Sequence, residues 1–305
     1  MVKRTLYFGN PAYLSLRLDQ LVIRMPGIKE PDEVVGTMRT IPIEDIGIIV
    51  LDHKQITVTH GLIEKLLENN CSIITCSSNH MPVGLILPLY GNTIQNERFR
   101  SQLSSSLPLR KQLWQQTIQH KIANQAAVLE YATGTKHNNM MIWSANVRSG
   151  DSGNMEARAA AYYWPALFSD KEYFIRSRDE DEPNNLLNYG YAILRAIIAR
   201  ALVSSGLLPT LGIHHHNRYN AYCLADDIME PYRPFVDKLV YTLYKRYNNL
   251  ELTPEIKREL LSIPTMDVTI NDKRSPLMVA ASTTSSSLVK CFSGEMRKLA
   301  YPIMT

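Results

Sequence analysis

The spacing of apolar residues changes near residue 92, and this change constrains the fold more than any other feature of the 305-residue sequence. Before it, short runs of branched and aromatic residues stand between turn residues, as in YLSLRL, IGIIVLD and SIITC, a pattern typical of β-strands. After it, apolar residues recur every three to five positions, which is the period of an amphipathic helix. The sequence therefore predicts two domains, residues 1–91 and 92–305.

The predicted fold class is α+β, with an N-terminal β-rich, sandwich-like domain followed by a larger α-helical domain. The close spacing of the strands disfavours a parallel α/β sheet, whose strands are joined by long helical crossovers. We expect one helix at residues 61–68, a linker near residues 90–105 and a hairpin between Ile263 and Lys273. Further helices are expected over residues 113–129, 155–167, 185–205, 219–247, 254–261 and 276–299.

Basic residues are concentrated in the second domain. Residues 1–95 hold 8 Lys and Arg against 9 Asp and Glu, whereas residues 96–305 hold 25 against 20. A mild basic excess is weak evidence for a polyanionic partner, and it is also ordinary for a soluble surface. The four cysteines do not have zinc-ligand spacing and are expected to be buried free thiols, which favours a cytoplasmic location. No uncharged apolar run of 18 residues predicts a membrane span.

The densest group of polar residues lies in the segment LGIHHHNRYNAYCLADDIMEPYRPFVD. Asp227 and Glu230 are three residues apart, and Asp226 and Glu230 are four apart, so either pair would share one face of a helix. Two carboxylates near a histidine would suit a divalent metal, because a bound cation relieves their mutual repulsion. The alternative is a structural network in which the acidic side chains pair with Arg218 and Arg233.

Two further features are ambiguous on their own. At most two of the three histidines 214–216 can face one metal ion. Glu156 opens a predicted helix behind the turn DSGN, and it is either a functional carboxylate or an ordinary first-turn Glu that complements the helix dipole. The sequence contains no Walker-type phosphate loop, no GxGxxG motif after a strand and no GxSxG elbow, which disfavours nucleotide-driven and dinucleotide-dependent enzymes.

Taken together, these segments resemble the CRISPR-associated spacer-acquisition integrases, the metal-dependent DNA integrases of bacterial adaptive immunity. The resemblance is closest to the type II branch and covers nearly the whole chain. In the second domain it is carried by GNMEARAAAYYWPALF followed by LGIHHHNRYNAYCLADDIMEPYRPFVD. In the first domain it is carried by RTLYFGNPAYLSLRLDQLVIR and TIPIEDIGIIVLDHKQITVT.

The resemblance implies that Glu156, His215 and Glu230 are the catalytic residues and the ligands of Mg²⁺ or Mn²⁺. The family's N-x-E motif falls on Glu156, its G-x-x-H motif on His215, and the end of its D-x-x-[DE] step on Glu230. Asp227, Asn154 and His214 would support these ligands. Arg158, Arg218 and Arg233, which flank them, would bind DNA phosphates.

The resemblance also implies an activity and partners. The protein would insert short duplex DNA into a CRISPR repeat array, by attack of a DNA 3′-hydroxyl on a phosphodiester. The β-rich domain would form a homodimer, and a small companion subunit would bridge two dimers. An RNA-guided effector nuclease is a further candidate partner, and no membrane is involved. The alternatives are a stand-alone metal-dependent nuclease or junction resolvase, a non-catalytic DNA-binding subunit, and an unrelated helical metalloenzyme.

Overall fold

A computed structural model describes residues 3–26, 39–171, 174–177 and 181–304 of the chain. The chain forms two compact units, Met1–Gly91 and Asn92–Thr305. The division lies at the position where the spacing of apolar residues changes in the sequence. The first unit is rich in strands and the second is mostly helical, so the fold class is α+β.

Over its described residues, 3–26 and 39–91, the first unit contains two four-stranded sheets and one α-helix. One sheet has the strand order β1-β5-β7-β8 and the other the order β4-β3-β2-β6. The strands are β1 (Arg4–Phe8), β2 (Ala12–Arg17), β3 (Gln20–Arg24), β4 (Arg39–Pro42), β5 (Ile46–Leu51), β6 (Ile56–Val58), β7 (Ser72–Cys76) and β8 (Pro82–Ile86). Helix α1 (His60–Glu68) is where the sequence predicts it.

Both sheets and α1 contribute to one apolar core, as a sandwich-like module requires. Leu14 and Leu21 from one sheet, Ile49 from the other and Leu62 from α1 are all almost completely buried in it. Parallel pairs, which the sequence does not predict, occur within this module, because β1 pairs in parallel with β5, and β5 with β7. Strand β5 reads IGIIVL and is buried along nearly its whole length, as parallel central strands are.

The second unit consists of helices and one hairpin. The helices are α2 (Gln95–Leu103), α3 (Leu107–Thr133), α4 (Asn138–Ala145), α5 (Met155–Leu167), α6 (Asn184–Ser204), α7 (Cys223–Met229), α8 (Arg233–Arg246), α9 (Pro254–Leu260) and α10 (Leu277–Phe292). The predicted hairpin is confirmed as the antiparallel pair β9 (Asp267–Ile270) and β10 (Lys273–Pro276). Helix α2 occupies most of the segment predicted to be a linker, and α4 is not predicted.

The helix predicted over residues 219–247 is interrupted in its middle. Helix α7 ends at Met229, Glu230–Tyr232 form a single 3₁₀ turn, and α8 begins at Arg233. The reason is Pro231, which has no N–H to donate to the carbonyl of Asp227 and whose ring crowds that carbonyl. Asn124 of α3 donates to the Pro231 carbonyl oxygen at 2.8 Å and so ties this turn to the long helix.

Helix α6 is the apolar centre of the second unit. It is long and apolar enough to cross a membrane by length and composition, but 78% of its most apolar window is buried inside the protein. It packs against α7, α8 and α10, and Leu194 and Ile198 are completely buried. This burial is typical of the core helix of a globular domain.

The four cysteines are free, and all except Cys76 are buried.

Candidate active site

The predicted site residues are presented by three parts of the second unit. Glu156 lies in the first turn of α5, which is held by the side chain of Asp151. One carboxylate oxygen of Asp151 accepts the backbone N–H of Met155 at 2.9 Å, and the other accepts that of Glu156 at 3.0 Å. This cap satisfies N–H groups that have no partner within the helix. The turn residues before Glu156 in the sequence therefore fix the start of α5 and with it the position of the Glu156 Cα atom.

The loop that carries His215 is anchored on Asp227 of α7, whose side chain is completely buried. The Asp227 carboxylate accepts the backbone N–H of His214 at 2.9 Å and that of His215 at 3.2 Å. It also lies 2.5 Å from His215 Nδ1. The hydrogen bond to Asp227 raises the pKa of His215 above its ordinary value, although partial burial opposes the shift. Because Nδ1 is held by Asp227, Nε2 is left as the ring nitrogen that can bind a metal.

Gly212 explains why this loop can approach Asp227 so closely. A Cβ atom at this position would lie 2.7 Å from Asp227 Oδ2 and would also collide with the carbonyl oxygen of His215. Real Cβ atoms do not approach other atoms so closely, so only glycine leaves room for the turn. The glycine of the G-x-x-H motif is therefore part of the packing that positions His215.

Lys121 of α3 lies between the two predicted glutamate ligands. Its ammonium donates to Glu156 Oε1 at 2.6 Å and contacts Glu230 Oε2 at the same distance, outside hydrogen-bond geometry. The Lys121 side chain is only 12% exposed. Two oxygens that each lie 2.6 Å from one nitrogen are no more than about 5 Å apart. The first turn of α5 and the 3₁₀ turn after α7 therefore bring Glu156 and Glu230 to one point.

Glu230 is buried, with its two oxygens facing two different cations. Oε1 lies 3.0 Å from Arg233 Nε and Oε2 lies against Lys121. Burial alone would raise the pKa of Glu230, but Arg233 and Lys121 outweigh it and lower that pKa. The carboxylate is therefore ionised at neutral pH. Its Oε2 receives no hydrogen bond from any described residue.

His214 stacks on Trp114 of α3. The two rings are parallel, with centroids 4.1 Å apart, and the His215 ring meets the same indole edge-on at 5.5 Å. Partial burial lowers the pKa of His214, and His215 beside it lowers it further. Trp114 is fully buried in α3. His214 thus buttresses His215 through its ring and its backbone.

The structure distinguishes between the two carboxylate pairs that the sequence allows, Asp227 with Glu230 and Asp226 with Glu230. The Asp226 side chain binds Arg195 Nε at 2.6 Å and the side-chain amide of Asn220 at 2.7 Å. Asp226 therefore belongs to a structural ion pair, with Arg195 as its partner. Asn154 has a left-handed backbone with φ of 52°, and its exposed side chain makes no hydrogen bond with described residues. Its observed contribution is the shape of the turn before α5.

The three arginines named from the sequence are in different situations. Arg233 is mostly buried and paired with Glu230, as the alternative structural reading requires for that residue. Arg158 and Arg218 are exposed and form no ion pair with a described carboxylate. Arg158 lies over the Trp143 ring at 4.8 Å, and Arg218 lies over the Tyr219 ring at 4.6 Å. Of these three arginines, Arg158 and Arg218 are therefore the two without a carboxylate partner among the described residues.

Two basic residues of the site are missed by the sequence reasoning. One is Lys121. The other is Arg110, which lines the grooves on both sides of the loop at Gly212–His216. Arg110 Nε is buried and has no hydrogen-bond partner among the described residues. Both lie on α3, where the sequence offers only their helical spacing from Trp114 as a signal, and that spacing does not distinguish them from surface residues.

Within the described ranges, no three His, Cys, Asp or Glu side chains are arranged closely enough to hold a metal ion as they stand. The ammonium of Lys121 stands between the two glutamates, and His215 lies close enough for both carboxylates to raise its pKa further. The arrangement is a compact set of two carboxylates and one imidazole with a lysine among them. Carboxylate and imidazole donors together suit Mn²⁺ well and Mg²⁺ somewhat less.

Comparison with known proteins identifies the family. The sequence profile described as CRISPR associated protein Cas1 matches residues 6–255, which is most of the chain. The chain belongs to this family. It is 37% identical over 289 residues to the CRISPR-associated endonuclease Cas1 of Neisseria meningitidis, covering 94% of this chain and 91% of that protein. The matched region includes Glu156, His215 and Glu230.

Solved structures share the fold at lower sequence identity. A casposase bound to an integration product superposes with a TM-score of 0.77 at 20% identity, covering 98% of this chain and 92% of that one. A chain of a Cas6-RT-Cas1–Cas2 complex superposes with a TM-score of 0.73 at 19% identity, covering 97% of this chain and 36% of that one. Such low identities establish the architecture and leave the chemistry to be argued from the site.

Proposed function

We propose that this Cas1-family protein is a metal-dependent DNA integrase that inserts short duplex DNA, as new spacers, into a CRISPR repeat array. The observation that carries the proposal is the convergence of Glu156 and Glu230 on one point beside His215. These residues lie far apart in the sequence and are brought together by the first turn of α5 and the 3₁₀ turn after α7. Buried carboxylates repel each other unless a cation lies between them.

The residues present fit a divalent cation. Glu230 supplies a buried carboxylate whose Oε2 already faces a cation, Lys121, at 2.6 Å, Glu156 supplies a second carboxylate, and Asp227 holds His215 Nδ1 and leaves Nε2 as the donor. Glu156, His215 and Glu230 would hold Mg²⁺ or Mn²⁺. When bound, such an ion supplies Lewis-acid stabilisation of charge on a phosphate and orients the reacting groups.

The reaction is a phosphodiester exchange, in which a DNA 3′-hydroxyl attacks a backbone phosphate and another 3′-oxygen leaves. It needs positioning and charge stabilisation more than covalent chemistry. Asp227 fixes the ring orientation of His215, and the stack on Trp114 limits the movement of the loop. Arg158, Arg218 and Arg110 would bind DNA phosphates, because none of them has a carboxylate partner among the described residues.

The partners follow from the proposed activity. The substrates are double-stranded DNA, both the short incoming duplex and the repeat array. The β-rich unit would form a homodimer, and a small companion subunit, of the kind named in the Cas1–Cas2 structure that this chain resembles, would bridge two dimers. An RNA-guided effector nuclease is a further candidate partner, and the reaction would take place in the cytoplasm.

The decisive experiment measures integration of a labelled short duplex into a repeat-bearing plasmid, with and without the companion subunit. We expect a branched product that requires a divalent ion, with Mn²⁺ at least as effective as Mg²⁺. Binding should weaken steeply with salt, because phosphate contacts release counterions. Cutting without joining would favour the stand-alone nuclease or junction resolvase. Binding without either reaction would favour a non-catalytic DNA-binding subunit, and full activity in excess chelator would exclude a metal mechanism.

A further inference from the structure

Lys121 is the most completely enclosed cation of the site and is held from three directions. It lies on α3, its ammonium is 2.6 Å from Glu156 of α5, and it is 2.6 Å from Glu230 of the 3₁₀ turn. Asn124, three residues later on the same face of α3, is bonded to the carbonyl of Pro231. The backbone around Lys121 is therefore fixed to the turn that carries Glu230. The position of its ammonium between the glutamates is set by this packing and by burial of the side chain.

The contacts of Lys121 satisfy the charge of the site without a metal. Burying an ammonium or a carboxylate is costly unless each finds an opposite charge. Here Lys121 and Arg233 lie against the buried Glu230, and Lys121 also neutralises part of the charge of Glu156. Removal of Lys121 alone would leave two converging carboxylates with a single arginine to balance them.

A divalent ion held between Glu156 and Glu230 would compete with Lys121 for the two oxygens that Lys121 already contacts. An ammonium and a metal ion cannot both touch Glu156 Oε1 and Glu230 Oε2, because two cations at such a separation repel strongly where little water is present. Occupation of the pair by a metal therefore requires the ammonium to leave. The observed free energy of metal binding is then the difference between the free energy of the metal contacts and that of the Lys121 contacts that they replace.

We propose that Lys121 is a positioning residue that acts as an internal substitute for the metal ion: it holds Glu156 and Glu230 together in the metal-free protein and is displaced when a divalent ion binds. The inference rests on the metal-dependent function proposed above. Lys121 thereby keeps the empty site ordered, and it also weakens the affinity for metal, since any ion must replace it.

The test compares the Mn²⁺ affinity of the full-length protein and of Lys121→Met, measured by calorimetry or by the spin signal of free Mn²⁺. Methionine keeps the length of the side chain and removes the charge. We expect Lys121→Met to bind Mn²⁺ at least about tenfold more tightly than the natural protein. We also expect it to unfold at a lower temperature in chelator and to recover on addition of Mn²⁺. A lysine with a purely structural role predicts the opposite change in affinity.

Two variants control the comparison. Lys245→Met removes a lysine that contacts a carboxylate, Asp170, at the same 2.6 Å but touches neither Glu156 nor Glu230, and it should leave Mn²⁺ affinity unchanged. Lys121→Arg keeps the positive charge and should not tighten binding. If Lys121→Met is folded and binds Mn²⁺ no better than the natural protein, the inference is wrong.

A measurement on the natural protein covers the case in which Lys121→Met does not fold. An amine-reactive label followed by mass spectrometry reports how accessible Lys121 is. We expect little labelling in chelator, where the side chain is 12% exposed and ion-paired, and several-fold more with saturating Mn²⁺. Labelling that Mn²⁺ leaves unchanged would overturn the displacement.

The two proposals fail in different ways. If Glu156→Gln and Glu230→Gln leave the Mn²⁺ affinity of the protein intact, or if the natural protein binds no Mn²⁺, the proposed metal site is wrong. If Mn²⁺ binding depends on both glutamates, but Lys121→Met does not bind Mn²⁺ more tightly and Mn²⁺ does not increase the labelling of Lys121, only the role of Lys121 is wrong.

Discussion

Two buried carboxylates, seven residues apart in the sequence, have opposite electrostatic surroundings. Glu230 is 5% exposed and faces the cations Lys121 and Arg233. Asp237 is 1% exposed and accepts hydrogen bonds from the hydroxyl groups of Tyr163 at 3.0 Å and Tyr191 at 2.5 Å. The pKa of Glu230 is lowered, whereas burial raises the pKa of Asp237 to about 6.

Burial is common to both residues, so it is the neighbouring groups that decide the direction in which the pKa shifts. Tyrosine hydroxyls stabilise a carboxylate less than adjacent cations do, and the pKa of Asp237 stays raised although Arg176 and Arg233 act against the effect of burial. Arg233 lies between the two regions, with its guanidinium 4.7 Å from the Tyr191 ring centroid. Glu230 therefore differs from Asp237 in facing two cations that stabilise its ionised form, which is the form that binds a metal.

The largest expected effect comes from neutralising the first of these carboxylates. Glu230→Gln keeps the size of the side chain and removes a proposed ligand, and we expect strand transfer to fall by more than about 100-fold, because even residues that only support metal ligands are worth 10- to 100-fold. Glu156→Ala and His215→Ala should also abolish integration. The integration assay measures the loss, and circular dichroism reports whether the fold is kept.

Asp237→Asn is the matched control for Glu230→Gln. It neutralises a carboxylate that is equally buried but lies among tyrosines, and it should leave integration within a few-fold of normal. Equal losses of integration activity in Glu230→Gln and Asp237→Asn would mean that the different surroundings of the two acids do not matter for the reaction.

The second effect is on stability and is specific to Asp237. Its pKa in the folded protein, about 6, is above the ordinary value of 3.8, so the unfolded chain releases this proton at lower pH than the folded one. The contribution of Asp237 is therefore complete below about pH 4 and is lost as the pH rises through 6, by up to about 3 kcal/mol. Asp237→Asn should remove this part of the pH dependence and be relatively more stable at pH 7.5 than at pH 4.5.

Urea unfolding of both proteins across this pH range measures the difference directly. The pair must be compared at each pH, since other groups titrate as well. Parallel stability curves for the natural protein and Asp237→Asn would show that folding does not shift the pKa of Asp237, and the contrast with Glu230 would then be lost.

A third, smaller effect separates Asp227 from its neighbour Asp226. Asp227→Asn weakens the hold on the His215 ring and on the loop backbone, and Mn²⁺ affinity should fall by about 10- to 100-fold. Asp226→Asn disrupts the pair with Arg195 and should change the stability without changing Mn²⁺ affinity. Calorimetry measures the Mn²⁺ affinity of both variants. Similar affinities for the two would mean that Asp227 does not support the proposed metal site.

Most of the fold could be predicted from local patterns, and the errors have physical causes. The helices at 61–68 and 155–167 follow from apolar spacing and turn residues, and both are confirmed. The parallel pairs of β5 are missed, because pairing partners are decided by packing between distant segments and not by local spacing. The break at Glu230–Tyr232 could have been predicted, since Pro231 cannot continue a helix.

The candidate site could be predicted only in part. Residue spacing alone leaves Glu156, His215 and Glu230 ambiguous, and it is the resemblance to the integrase family that singles them out. The structure places Glu156 and Glu230 against one lysine, and the DSGN turn precedes α5 as expected. Lys121 has no signal of its own in the sequence, because a lysine on a long amphipathic helix is usually solvated. The difference between Asp226 and Asp227 also needs coordinates, since adjacent residues on a helix point to different neighbours.

The smallest effect concerns Arg110, the cation of this region that faces neither Glu230 nor Asp237. Its Nε is buried without a partner, an arrangement that suits an incoming phosphate. We expect Arg110→Ala to weaken binding of a short DNA duplex several-fold and to reduce the slope of log affinity against log salt by about 1. Arg246→Ala, which removes an exposed arginine paired with Glu259, should leave both unchanged. Filter binding at several salt concentrations measures affinity and slope together. A loss of affinity with an unchanged slope would mean that Arg110 supports the loop at Gly212–His216 by packing and makes no phosphate contact.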